Sequence, residues 1–162
     1  MLNHQAVIAS HHEKDVGMNS FDLSAVDAQD EGELLIKHPK TLEPTGWTWT
    51  FYGPGHPVTM ELSNRVAGAA LKKAAARRQA QANGKKWKED EESLEQIRVE
   101  NVDSIVTRTK NFTPIKLDGQ IIEYSPEAAK RLLLDRKKGW LLEQIAEFLR
   151  EEANFIQPSA TS

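Results

Sequence analysis

The stretch Trp47-Thr48-Trp49-Thr50-Phe51-Tyr52 alternates a large ring with threonine. An extended strand turns successive side chains to opposite faces, so Trp47, Trp49 and Phe51 fall on one face and Thr48 and Thr50 on the other. Three rings on one face need a cover. Either the chain folds around this strand, or the face is offered to a partner. Upstream, Glu33 to His38 reads as a second strand, closed by Pro39, and the turn-rich Lys40 to Gly46 connects the two. Residues 33–57 therefore predict a β-hairpin, which Gly53-Pro54-Gly55-His56-Pro57 terminates.

Helical signals dominate the rest. Val58 to about Asn83 is rich in Ala, Leu, Lys, Arg and Gln, all good helix formers, and Asn83-Gly84 is a stop. Leu62, Val66, Ala69 and Ala70 form an apolar stripe, but beyond Leu71 it is only alanine. The far end of this helix has little to bury it. A second helix is predicted over about 90–109, with Leu94, Ile97, Val102, Ile105 and Val106 on its apolar side, ended by Asn111 to Pro114. Ile115-Lys116-Leu117, an Asp118-Gly119 turn and Ile121-Ile122-Glu123-Tyr124 predict a small hairpin. Ser125-Pro126-Glu127 is a helix start, with a serine cap, proline at the first position and an acid in the first turn. That helix carries Ala129, Leu132 and Leu133. Gly139 separates it from a last helix with Trp140, Leu141, Leu142, Ile145, Phe148 and Leu149 at helical spacing, closed by Asn154-Phe155-Ile156.

The expected fold is therefore α+β and mainly helical: an N-terminal β-hairpin, a long basic helix, a second helix, a short hairpin and a C-terminal helix pair. It forms a single domain over 21–156. Residues 1–20, which include His4, His11 and His12, and residues 157–162 lack any period and read as disordered. Met18 is a plausible second start, which would make 1–17 an upstream extension. The first residues lack a basic region followed by a long apolar stretch, so a secretory leader is not expected. No window approaches ~18 consecutive apolar residues, so no membrane span is expected.

Charge is unevenly distributed. From Ser63 to Lys88 the bases Arg65, Lys72, Lys73, Arg77, Arg78, Lys85, Lys86 and Lys88 meet no acid. Glu89, Asp90, Glu91, Glu92, Glu95, Glu100 and Asp103 then follow against Arg98 alone. Two helices that neutralise one another explain this, and a basic patch for an acidic partner is the alternative. The net charge of −3 over 162 residues argues against nucleic acid as the main partner. The basic stretch also lacks interleaved aromatics before Trp87.

Searches for chemistry return little. There are no cysteines, which excludes disulfides, thiolate metal sites and cysteine nucleophiles. No Gly-rich phosphate loop and no Gly-x-Ser-x-Gly elbow occurs. No histidine pair sits at i, i+4 beside a glutamate. No catalytic residue, cofactor or metal site is assigned, and a binding or assembly role is expected. The candidates for partner contact are Trp47, Trp49 and Phe51 on the strand, and Trp140, Leu141, Ile145 and Phe148 on the last helix. Arg65, Lys72, Lys73, Arg77 and Arg78 form the candidate basic patch.

The order of the motifs from Asp118-Gly119 through Tyr124-Ser125-Pro126-Glu127-Ala128-Ala129, Leu132-Leu133, Trp140, Glu143-Gln144-Ile145 and Asn154-Phe155 resembles a family of small proteins from the tail modules of long-tailed phages. Phe21-Asp22-Leu23-Ser24, Lys37-His38-Pro39 and the long basic helix look similar as well, so the resemblance spans most of residues 19–156. Members often carry a tryptophan near the end of the helix before the Asp-Gly turn; this chain has Thr107-Arg108-Thr109-Lys110 there, with Phe112 in its place. Such proteins are usually tail assembly chaperones, some are virion structural proteins, and the family has no catalytic residues. The resemblance implies tape-measure and tail-tube proteins as partners in the host cytoplasm, with self-association left open. A long amphipathic client aggregates alone, and a chaperone covers its apolar face until tube subunits replace it. Two other classes stay open: a tail or head component of the virion, and a nucleic-acid-binding regulator acting through residues 65–88.

Overall fold

The computed structural model describes residues 20–85 and 92–158, with the side chains of Glu92 and Ser93 excepted. Of the ends expected to be disordered, 1–20 and 157–162, residues 1–19 and 159–162 lie outside them, as do Lys86, Trp87, Lys88 and the acids at 89–91. The fold is α+β and mainly helical, as expected.

Two strands, β1 (Glu31–Lys37) and β2 (Pro44–Tyr52), pair antiparallel as the predicted hairpin. His38 organises its loop. Its backbone N–H donates to the Glu43 carbonyl at 2.8 Å, and its Nδ1 accepts from the N–H groups of Lys40 and Thr41. The next helix, α1 (Pro57–Ala82), starts on an unusual cap: His56 Nδ1 accepts from the Val58 N–H at 3.1 Å, and Pro57 takes the first position, where no N–H is needed. Asn83 and Gly84 end it, Gly84 with φ of 72°.

Helix α2 (Glu92–Arg108) runs directly into a strand, β3 (Thr109–Phe112), which the sequence did not predict. The expected helix end at Asn111 to Pro114 is instead the outer strand of a three-stranded sheet with order β1-β2-β3. The reason is tertiary. Thr109 and Phe112 face the core while β2 supplies the pairing partners, Trp49 opposite Phe112 and Phe51 opposite Thr109. Four residues without that neighbour carry no strand signal of their own.

The second hairpin, β4 (Ile115–Leu117) and β5 (Gln120–Ile122), forms as expected. Asp118 and Gly119 have φ of 51° and 80°, the pair of positive values that a two-residue hairpin turn needs. Helix α3 (Pro126–Leu134) is capped by the Ser125 hydroxyl, which accepts from the Ala128 N–H at 3.0 Å. The break after it differs from expectation. Asp135, not Gly139, ends α3: its carboxylate accepts from the Lys137 N–H and from Lys138 Nζ, bending the chain into a single turn over Arg136–Lys138. Gly139 is then the first residue of α4 (Gly139–Arg150). Asn154 Nδ2 donates to the Phe148 carbonyl at 2.9 Å, satisfying one of the orphan acceptors at the end of α4.

One face of the sheet is the core face. Ile36 from β1, Trp47, Trp49 and Phe51 from β2, and Phe112 from β3 are all buried there. Val102 of α2, Leu132 and Leu133 of α3, Leu141 and Ile145 of α4, and Phe155 from the turn after α4 cover them. The opposite face carries Glu31, Glu33, Leu35 and Lys37 from β1 and Thr48, Thr50 and Tyr52 from β2.

The chain comes closest to itself where β2 ends. A Cβ placed on Gly53 would sit 1.9 Å from the carbonyl oxygen of Gln29, whereas one on Gly55 would meet nothing within 4 Å. Gly53→Ala should therefore cost about 3 kcal/mol, the upper part of the overpacking range. Gly55→Ala should change stability by less than about 0.5 kcal/mol. Urea unfolding followed by tryptophan fluorescence measures both, and equal midpoints for the two variants would contradict the close approach.

Candidate interaction surfaces

The seven residues singled out for partner contact all belong to the core or pack against it. Trp49 and Phe51 are fully buried and Trp47 nearly so. Their rings form a connected cluster. Trp47 meets Trp49 edge-on at 5.5 Å, Trp49 lies 5.9 Å from Phe51, and Phe112 sits 4.9 Å from Trp49. Trp47 Nε1 donates to the Thr113 carbonyl at 2.9 Å, while the buried indole N–H of Trp49 has no partner among the described residues. Leu141 and Ile145 are buried from α4. Trp140 and Phe148 are half-buried and pack against the same cluster, Phe148 lying 5.8 Å from Phe51 and 5.4 Å from Phe155. The expectation that these side chains meet a partner is corrected to this extent. In the folded domain they meet each other, because the helices supply the cover that the aromatic face requires.

The basic patch is where the sequence put it. Arg65, Lys72, Lys73, Arg77 and Arg78 all lie exposed on α1. Glu89, Asp90, Glu91 and the side chain of Glu92, part of the acidic block expected to neutralise them, lie outside the described residues. Two described acids of α2 pair elsewhere: Glu95 with Arg98 and Arg136, and Asp103 with Lys130 of α3. No described carboxylate lies within ion-pair distance of the α1 bases.

What sequence reading undervalued is how much of α1 and α2 lies beyond the core. In α1 only Thr59 and Leu62 are buried, both in its first two turns, although its 26 residues span ~39 Å at 1.5 Å per residue. In α2 the core contacts come from its second half, Val102, Ile105 and Val106. Leu94 is 74% exposed, Leu71 69%, Val66 52% and Ile97 43%. The sequence predicts apolar stripes at Leu62–Ala70 and Leu94–Val106. Each is buried at one end only, and α1 and α2 contact one another. The signal was legible in part: beyond Leu71 the helix offers only alanine.

Arg108 ties this arm to the domain. Its Nε donates to the Tyr52 carbonyl at 2.8 Å, and its guanidinium lies 4.9 Å from the centre of the Phe155 ring. Burial lowers its pKa from the ordinary arginine value. Among the described residues there is no group of three or more His, Asp or Glu placed to hold a metal ion, and no helix is long and apolar enough to cross a membrane. Comparison of the chain with family models, curated proteins and solved structures finds no match.

The division between core and arm has a direct consequence for stability. Leu71→Ala and Leu94→Ala should each change the unfolding free energy by less than about 0.5 kcal/mol, as expected of surface positions. Leu133→Ala, at a fully buried site, should cost about 2–5 kcal/mol. Chemical denaturation of the three variants makes the comparison. A large loss at Leu71 or Leu94 would show that the arm belongs to the cooperative core.

Proposed function

We propose that this chain is an assembly chaperone of the kind it resembles, which holds a helical, apolar client protein until the client's permanent partners arrive. On that reading the client is a phage tape-measure protein and the replacements are tail-tube subunits. One observation supports it above the others. Val66, Leu71, Leu94 and Ile97 are exposed on two helices that touch each other and leave the core, so they contribute little to the domain's own stability. Apolar side chains of that kind, on a helix pair that also carries the exposed α1 bases, suit an amphipathic client helix. The aromatic strand and α4 act as the scaffold and do not touch the client.

The quadruple substitution Val66→Ala, Leu71→Ala, Leu94→Ala and Ile97→Ala should leave the melting temperature within about 3 °C of the parent, since no buried group is lost. It should abolish the ability to keep a co-expressed tape-measure protein soluble. Mass spectrometry of purified particles against cell lysate tests the broader reading. Abundance in lysate with absence from particles is expected. Stoichiometric presence in particles would make the chain a virion structural component and overturn the chaperone role.

A second reading, nucleic-acid binding through α1, is favoured by the exposure of Arg65, Lys72, Lys73, Arg77 and Arg78 without described carboxylate partners. It requires binding to random-sequence duplex DNA that weakens steeply with salt. No binding at low salt removes it.

A further inference from the structure

β1 is an outer strand of the sheet, and no strand pairs with its outer edge. Asp30 turns its carbonyl inward to the Gly53 N–H at 2.7 Å. Lys37 turns both backbone groups outward to the Gln144 carboxamide: its N–H donates to Oε1 at 3.1 Å, and its carbonyl accepts from Nε2 at 2.7 Å. The β1–β2 register is irregular between Leu35 and Lys37 but regular from Glu31 to Leu35, so with Asp30 turned inward the backbone groups of Glu31, Glu33 and Leu35 point outward. At the other end the Gln29 N–H donates to the Phe155 carbonyl at 2.6 Å, and Ala28 bridges Ile156. The edge is closed by Phe155 and Ile156 at one end and by Gln144 at the other. It is open over Glu31–Leu35, where no described residue pairs with the outward N–H and carbonyl groups of Glu33 and Leu35. Proteins normally cover such an edge, because it is a template for another strand.

A groove of about 600 Å³ borders this opening, between residues 29–33 and 154–158. Its lining includes Asp30, Glu31 and Glu33 together with Phe155 and Ile156, and no lysine, arginine or histidine. Lys110 pairs with Glu31 from across the sheet, but no described cation pairs with Asp30 or Glu33. We propose that the open edge of β1 is a docking site for an extended segment of a partner protein that carries cationic side chains on alternate residues. The segment adds as a fourth strand: its backbone pairs with Glu31, Glu33 and Leu35, and its cations lie opposite Glu31 and Glu33 on the outer face of the sheet. Its intervening side chains fall on the other face, toward Phe155 and Ile156, and are apolar. The charges disfavour a second copy of this chain as the natural occupant. Two-fold antiparallel pairing centred on the open stretch would set Glu33 directly opposite its own copy, a destabilising arrangement of like charges. This site is separate from the α1–α2 arm and does not depend on what the arm binds.

The test uses the full chain, labelled for amide hydrogen exchange by NMR, and a short blocked peptide of alternating lysine and valine as probe. In the free protein the Glu33 and Leu35 amides should exchange readily. With the peptide bound they should slow by about tenfold or more, the mark of new backbone hydrogen bonds. Methylating the peptide nitrogens on its pairing edge should remove both binding and protection. Replacing its lysines with glutamates should remove binding, and Glu33→Lys in the protein should weaken the lysine peptide by about tenfold. The proposal is overturned if the methylated peptide binds as tightly as its parent, which would indicate charge attraction without strand pairing. It is equally overturned if Glu33 and Leu35 are protected in the free protein in step with its concentration, which would put a second copy on the edge. Binding without slowed exchange at these two amides is the third outcome that rejects it.

Discussion

Trp49 stands at the centre of the domain, and the other elements are arranged to exclude water from it and its neighbours. Its ring touches those of Trp47, Phe51 and Phe112, so all three core-facing aromatics of β2 and the end of β3 meet at one point. Phe51 hands the cluster on to Phe148 of α4, which hands it on to Phe155. Phe112 does the same toward Tyr124, at 5.2 Å. Aromatic side chains bury more area per residue than any others, and their edge-on contacts add to that burial. A domain with one well-filled aromatic layer needs little further core, which fits a chain that is only 39% hydrophobic.

The sheet that presents those rings has two exposed edges, and each is partly tied by a single side chain. On β3 the Tyr124 hydroxyl donates to the Thr109 carbonyl at 3.1 Å. On β1 the Gln144 carboxamide engages both backbone groups of Lys37, taking the place of a neighbouring strand. Both side chains come from the C-terminal half of the chain, so they also fix how α3 and α4 sit on the hairpin. Arg108 adds a third tie, from the junction of α2 and β3 to the carbonyl of Tyr52. The open length of β1 lies between such ties, where these contacts stop.

The core and the arm do different work. Thr59 and Leu62 root α1, and Val102 roots α2. Beyond those points the two helices keep exposed apolar side chains, and α1 keeps all five of its candidate bases exposed as well. Glu95 and Asp103 of α2 pair with Arg98, Arg136 and Lys130, and no described carboxylate pairs with the α1 bases. A protein built this way holds its shape with one part and has another part available for contact.

Much of the architecture could be read from the chain. The period-two run at Trp47–Phe51, the Asp118-Gly119 turn, the Ser125-Pro126 helix start and the 3.6-period face of α4 are local signals, set by backbone geometry within a few residues. Each appears in the structure where it was expected. Of the points missed or misplaced, two depend on partners far along the chain and one on a local side-chain contact. Thr109–Phe112 becomes a strand only because β2 lies beside it. Asp135 ends α3 ahead of Gly139 because its carboxylate accepts from the following turn. Gln144 caps an edge strand 107 residues away. Sequence alone determined which side chains need burial and which turns the backbone can make. Only the tertiary structure decided that the aromatic face is covered from within, and that the predicted apolar stripes of α1 and α2 stay largely at the surface. Burial depends on which helix reaches which face, and periodicity fixes the direction of a side chain on its own element without fixing what stands opposite it.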